Sequence, residues 1–276
     1  MKKAILITCV VAIAGLNSAA WADSLQIVRS IELRVGGVDP MYWAHGLAWD
    51  GEVLWCLADS PPMTPGPSDQ PIYGINPLDG QVVAEIDRPF GMNYHGVAWD
   101  GSQLLCAGYI SIVGLEVDTL PDYIKRYSRD GTLLGTSEAP RSPDAFPQGM
   151  AWDGASLWLA DTKHGDVIRI DPVNHSVISS FAFPGVKPRG LAWDGRSLWG
   201  VDGQDAMIYR MDTAGNVLSA WSAPGPNPWG ITYDGEHLWV LDNDTRRIHQ
   251  LAVPEPAMLS LLALGGLAMM RRRRGR

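Results

Sequence analysis

Gly190-Leu191-Ala192-Trp193-Asp194-Gly195 decides how this chain folds, because the chain writes the phrase five times. The other copies are Gly46–Gly51, Gly96–Gly101 with Val97, Gly149–Gly154 with Met150, and Gly230–Gly235, which reads Ile231-Thr232-Tyr233 in the middle. A strand-like piece follows each copy. It reads Leu54-Trp55, Leu157-Trp158, Leu198-Trp199 and Leu238-Trp239, and Leu104-Leu105 after the second copy. Asp-Gly between two apolar runs is a strong hairpin signal, since both residues tolerate positive φ.

The unit is clearest between Gly149 and Arg189. Gly149–Trp152 reads as a first strand and Asp153-Gly154 as a turn. Ser156–Ala160 is a second strand, Asp161–Gly165 a polar loop, Val167–Asp171 a third strand and Ser176–Phe183 a fourth. Four short antiparallel strands in about 40 residues make one blade of a β-propeller. The copies are spaced by 50, 53, 41 and 40 residues. The excess in the first two lies after the second strand, at Ser60–Pro71 and Ile112–Asp122, as surface insertions on one face.

The fifth copy has three strands, ending near Leu251. Gln26–Ile31 resembles the fourth strand of the first repeat, Gln81–Ile86. The expectation is therefore an all-β, five-bladed propeller of four-stranded blades over residues 23–253. The N-terminal strand, within Ser24–Val35, pairs with Arg247–Leu251 and closes the ring. Closure removes the open sheet edges that invite aggregation.

Composition agrees with many short strands and tight turns, with 30 Gly, 20 Pro and 12 Trp in 276 residues. The net charge of −8 understates the acidity of the middle. Two lysines lie in the first 22 residues and five arginines in the last 20, where there are no acids, so residues 23–256 carry about −15. Such a surface repels nucleic acid and anionic lipid. Cys9 lies in the leader, and Cys56 and Cys106 hold matching positions in successive repeats. They read as two buried thiols rather than a disulfide.

Both ends carry addresses. Met1–Ala22 reads as an export signal: Lys2-Lys3, the apolar stretch Ala4–Leu16, and the small-x-small site Ala20-Trp21-Ala22 before Asp23. At the other end, Pro254-Glu255-Pro256 precedes the apolar run Ala257–Met270 and then Arg271-Arg272-Arg273-Arg274. Fourteen helical residues span about 21 Å, short of a ~30 Å hydrocarbon core, which arginine snorkelling extends. The arginines hold that end on the cytoplasmic side.

This tail resembles the PEP-CTERM sorting signal of certain Gram-negative bacteria. The resemblance covers Val253–Arg276. It implies an exosortase-type processing enzyme as partner, transient anchoring in the inner membrane through the apolar helix, and release to the outer surface or an exopolysaccharide matrix. The blades resemble secreted bacterial propellers of the NHL, YncE and gluconolactonase-like kind, a generic likeness that implies architecture rather than activity.

The residue before each repeat glycine recurs at one mouth of the central channel. These are His45, His95, Gln148, Arg189 and Trp229, with Tyr42, Trp43, Asn93, Tyr94, Arg141 and Asn227 as neighbours. A position so polar and so varied beside a constant glycine is the candidate ligand rim. The open readings are a plain solvated rim, and a rim for a small ligand or glycan with aromatic stacking. The two histidines lack a matching carboxylate, so no metal and no cofactor are assigned to them. Asp161, Asp202 and Asp242 end second strands and read as acceptors of loop N–H groups. Calcium at Asp202–Asp205 or Asp242–Asp244 is the weaker alternative, since neither has the spacing of a calcium loop. The Trp-Asp pairs read as structural, with Trp between blades and Asp in the turn.

No nucleophile elbow, zinc-protease motif or phosphate loop is present. A gluconolactonase-like enzyme needs Glu, Asn and Asp on a channel metal, and the rim offers His, Gln and Arg instead. The motifs of a five-bladed glutamine cyclotransferase are not found either. The reading is an exported, non-catalytic binding or interaction module for a glycan, small molecule or protein. The alternative is an extracellular propeller enzyme, a lactonase or other hydrolase, acting at the channel mouth.

Overall fold

The computed structural model describes residues 24–33, 43–59, 71–87, 92–110 and 121–254. These form five four-stranded antiparallel sheets. Blade one comprises β2 (Trp43–Trp49), β3 (Leu54–Asp59), β4 (Ile72–Ile75) and β5 (Val82–Ile86). Blade two comprises β6 (Met92–Trp99), β7 (Leu104–Ile110), β8 (Asp122–Tyr127) and β9 (Leu133–Glu138). Blade three holds β10 (Pro147–Trp152), β11 (Leu157–Asp161), β12 (Asp166–Ile170) and β13 (Val177–Ala182). Blade four holds β14 (Pro188–Trp193), β15 (Leu198–Asp202), β16 (Met207–Met211) and β17 (Val217–Ser222).

Blade five is β18 (Pro228–Tyr233), β19 (His237–Asp242) and β20 (Arg247–Ala252), completed by β1 (Ile27–Glu32) from the other end of the chain. The pairing runs from Ile27 opposite Leu251 to Glu32 opposite Arg247. Side chains reinforce it. Ser30 Oγ hydrogen-bonds His249 Nδ1 at 2.8 Å, Arg29 donates to Gln250 Oε1 at 3.3 Å, and Arg247 pairs with Glu32 at 3.2 Å.

The strand that starts each blade is innermost, and the five inner strands pack against one another around the axis. The repeat glycine sits where they meet. A Cβ on Gly46 would lie 2.9 Å from the His95 carbonyl oxygen, and one on Gly96 2.9 Å from that of Gln148. On Gly149 it would lie 2.0 Å from the Arg189 oxygen, on Gly190 2.8 Å from that of Trp229, and on Gly230 2.9 Å from that of His45. Real Cβ atoms do not approach backbone so closely, so any side chain here forces two blades apart.

The turn aspartate does more than open the hairpin. In blade three, Asp153 Oδ1 accepts the N–H groups of Ala155 and Ser156, and Oδ2 accepts Trp158 Nε1 at 2.9 Å and Arg169 at 3.1 Å. Asp50–Trp55, Asp194–Trp199 and Asp234–Trp239 repeat the indole bond at 2.7, 2.8 and 2.7 Å. Blade two has Leu105 in place of the tryptophan, and there Gln103 Nε2 donates to Asp100 Oδ2 at 2.9 Å. Arg210 and Arg129 reach Asp194 and Asp50 at 2.8 and 2.9 Å.

The four second-strand tryptophans are fully buried, and the apolar core is five clusters, each shared by two neighbouring blades. Cys56 and Cys106 are buried thiols in two of them, and burial pushes the Cys56 thiol up to about 12. Trp49, Trp99, Trp152 and Trp193 pack against these clusters only in part. With Tyr233 they also line a half-open cavity of about 80 Å³ at the turn end of the channel.

Two outcomes test this account. Gly149→Ala should cost on the order of 3 kcal/mol or more in a denaturant melt, through the clash with the Arg189 carbonyl. Gly154→Ala, which meets nothing but has φ +94°, should cost only about 1–2 kcal/mol. The second outcome concerns pH. His249 in the closing pair has its pKa lowered by burial first, and by Arg247, against the pull of Asp242. The folded state therefore binds fewer protons than the unfolded one below about pH 6.5. Stability should be full above that pH and fall as pH drops through it. His249→Asn should flatten the dependence, read as the urea midpoint at pH 7.5 and 5.5.

Candidate functional site

The five rim residues share one backbone device. Each sits where the pairing of an inner strand with its neighbour slips by a residue. The slips fall between Ala44 and Leu47, Tyr94 and Gly96, Pro147 and Gly149, Pro188 and Leu191, and Pro228 and Gly230. His45, His95, Gln148, Arg189 and Trp229 all lie inside these bulges. A bulge re-aims the side chain it carries, and proline at 147, 188 and 228 is tolerated because the inner strand is an edge.

A second device pins the chain just upstream. Asp161, Asp202 and Asp242 are fully buried at the ends of β11, β15 and β19. Asp161 accepts the N–H of Phe146 at 3.1 Å, Asp202 that of Lys187 at 3.4 Å, and Asp242 that of Asn227 at 2.7 Å. Each donor lies two residues before a rim residue. In Asp202 and Asp242 the other oxygen holds the second-strand loop, as Asp202 Oδ1 accepts the Gln204 and Asp205 N–H groups at 2.7 and 3.1 Å, whereas Asp161 Oδ1 accepts both Phe146 and Lys163.

These devices bring the predicted residues together. The His45 and His95 ring centroids lie 4.3 Å apart, edge to face, and His45 meets Trp229 at 4.7 Å. His95 also stacks on Trp229 at 6.3 Å. The Arg189 guanidinium lies over the Trp229 ring, 3.2 Å from its centroid. His45, His95, Gln148 and Arg189 are between 5 and 9% exposed, so the cluster is a buried plug rather than an open solvated ring.

Arg189 is the unusual member. Its Nε and Nη1 and the Gln148 Oε1 are buried without a hydrogen-bond partner. Burial pushes the guanidinium down to about 10, against the pull of Asp202. It still carries its charge at neutral pH, and a buried cation whose donors are not all hydrogen-bonded costs stability. Room for it exists because residue 203 is glycine, where a Cβ would lie 2.2 Å from Arg189 Nε. Residue 162 is threonine and residue 243 asparagine at the matching places.

Tyr109 and Phe146 were not evident as members. Tyr109 stacks on His95 at 5.3 Å, and Phe146 meets both at 5.5 and 5.0 Å. Phe146 precedes Pro147 at the head of a blade, and that placement was the available signal. Several predicted neighbours lie elsewhere. Tyr94 hydrogen-bonds the Tyr127 hydroxyl at 2.8 Å inside the core shared by blades one and two. Arg141 pairs with Asp166 and Asp161 at 2.9 and 3.4 Å. Asn227 accepts Trp229 Nε1 at 2.9 Å and so orients the ring beneath Arg189. Tyr42 and the insertions at 60–70 and 112–120 lie outside the described residues, as does the Trp43 side chain.

Comparison with known proteins adds two things. Residues 252–274 match the PEP-CTERM protein-sorting motif. No curated protein matches the sequence. Among solved structures, the Myxococcus xanthus glutaminyl cyclase is similar at a TM-score of 0.62 and 11% identity, over 84% of this chain and 100% of that one. A chain of a nidogen/laminin complex gives 0.51 at 18%, over 76% and 75%. Virginiamycin B lyase from Staphylococcus aureus gives 0.47 at 15%, over 82% and 99%. At such identities the likeness is one of fold.

The chain is thus a five-bladed β-propeller carrying a signal for export and C-terminal sorting. Pro254 is the last described residue. Glu255, Pro256, the apolar run 257–270 and Arg271–Arg274 lie outside the described residues, as does the leader 1–22.

Proposed function

We propose that this protein is an exported surface or matrix binding module, with its ligand seated at the channel mouth formed by His45, His95, Gln148, Arg189 and Trp229. Residues 1–22 direct export, 23–253 fold as the propeller, and 254–276 serve an exosortase-type enzyme after transient anchoring in the inner membrane.

The observation that carries the binding reading is Arg189: a buried guanidinium on an aromatic face with two nitrogens lacking acceptors. Its missing partner is an anion, for which a carboxylate or sulfate has the forked geometry. Gln148 Oε1 asks for a donor from the same molecule, a hydroxyl or amide N–H. His95 is buried between Tyr109 and Trp229, so the half-buried rings of Trp229 and Tyr109 are what a ligand's ring would meet. A small molecule bearing an acid group beside a hydroxyl, such as an acidic sugar, meets these requirements.

The enzyme reading uses the same mouth and draws on the two imidazoles at 4.3 Å, which suit proton transfer. Hydrolysis of a lactone panel that is lost in both His45→Ala and His95→Ala would favour it.

Arg189→Met separates a binding residue from a packing residue. Without ligand it should melt higher than the parent, because an unpaired buried charge is removed. Its affinity for uronates or sulfated sugars, read by calorimetry, should fall by about tenfold or more. A variant that melts lower and binds equally well overturns the assignment.

A further inference from the structure

The channel has two unlike ends, and the sorting tail leaves from one of them. β20 starts at Arg247, opposite Asp242 and level with the rim, and ends at Ala252 opposite His237. His237 closes the Asp234-Gly235-Glu236 turn, where its carbonyl accepts the Asp234 N–H at 3.1 Å. The last strand residue therefore lies beside the fifth copy of the repeat turn, about 17 Å along the strand from the rim end. The sorting motif begins at Ala252 itself. Val253 packs against the core shared by blades four and five, and Pro254 follows at once. β20 is held on both sides, by β19 and by β1, so the strand cannot peel away to lengthen the tether while the ring is closed.

We infer that, while the tail is intact, the propeller stands with its Trp-Asp-Gly turns against the lipid surface and its His45–Trp229 mouth pointing away from it. This rests on the reading that Ala257–Met270 inserts in the membrane. Four residues, and so five Cα-to-Cα steps, separate Ala252 from Ala257, and fully extended they reach at most about 17 Å. A domain of some 230 residues has a radius of gyration of about 17 Å and a width of roughly 45 Å. A tether that short cannot pass around the wall to bring the rim end to the membrane.

Charge does not forbid the approach. On the turn face, Arg129 bridges Asp50 and Glu52 and offsets one of their two charges, Arg169 pairs with Asp153, and Arg210 pairs with Asp194. Fields from the remaining carboxylates, such as Asp100 and Glu236, are screened beyond about 8 Å at physiological salt, and the tether's ~17 Å reach lets the face stand off by that distance. The consequence is functional: a ligand reaches the mouth equally well before and after the tail is processed.

Thiol labelling of the full chain in membranes from cells lacking the processing enzyme tests the orientation. Cys9 is lost with the leader on export, and the thiols Cys56 and Cys106 are buried, so an added cysteine dominates the signal. Ala155→Cys places one on an exposed turn of the Trp-Asp-Gly face, and Gln204→Cys places one on the exposed loop beside the rim. The probe is a membrane-impermeant maleimide carrying a polyethylene glycol chain. Expected is several-fold slower labelling at 155 than at 204 on the membrane, with the difference lost in detergent. Equal rates on the membrane from a chain that pellets with it overturn the orientation alone. A chain that does not pellet, or whose mass shows Arg276 retained in surface material of cells that have the enzyme, counts against the sorting reading itself. Failure to pellet overturns the orientation with it.

Discussion

Contact between a glycine of one inner strand and a backbone carbonyl of the next is what the ring depends on. It recurs at all five blade junctions, from Gly46 against His95 round to Gly230 against His45. Ring size follows from it, because strands that meet backbone to backbone leave a narrow axis. The side chains on either side of the junction must then go elsewhere. On the turn side they become Ala48, Ala98, Ala151 and Ala192, small and buried, with Thr232 in the fifth place. Thr232 Oγ1 accepts the Trp49 N–H at 3.1 Å, a bond across the blade-five to blade-one junction that alanine does not offer. On the rim side the strands bulge, and the bulge carries the variable residue.

The second constraint is the turn aspartate, which ties three strands of a blade with one carboxylate. Its Oδ1 holds the hairpin and its Oδ2 receives the second-strand indole and, in blades three and four, a third-strand arginine. Each hydrogen bond contributes about 1 kcal/mol net, whereas burying the indole is worth about 3–5 kcal/mol. Packing therefore supplies most of the stability, and the carboxylate fixes which rotamer the indole packs in. Blade two shows the two roles apart: Leu105 keeps the packing, and Gln103 takes over the hydrogen bond.

The repeat phrase, its spacing and the spare N-terminal strand were enough to read five blades and their closure, because hairpin chemistry and strand count are local properties. The Asp-to-Trp bond was legible too in principle. The two stand five residues apart in four copies, which crosses a two-residue turn to the facing strand. What could not be read locally was burial. The rim residues read equally as a solvated ring or a ligand rim, because their own strands are polar there. They are covered by residues distant in sequence, Tyr109 and Phe146 beside His95 and Trp229 beneath Arg189, which lies in the space left by Gly203. The face of the inner strand was equally hidden. The repeat pattern places Trp49, Trp99, Trp152 and Trp193 between blades, yet they also look into the axial cavity. Alternation along an edge strand does not say which side the axis lies on.

The division of labour along the axis explains why the same repeat shows so much constancy at one end and so little at the other. At the turn end all five copies satisfy the same bonds, so Asp and Gly recur without exception. At the rim end Asp161, Asp202 and Asp242 hold backbone N–H groups rather than side chains. That hold is indifferent to which side chain follows two residues later. Glutamine, arginine and tryptophan can therefore occupy equivalent places without disturbing their blades. Such freedom would be filled with apolar residues if stability alone were at stake, since Arg189 is buried with nitrogens lacking acceptors. A cation kept there against its desolvation cost, with a glycine making room for it and an indole oriented beneath it by Asn227, is the arrangement on which the proposed ligand site rests.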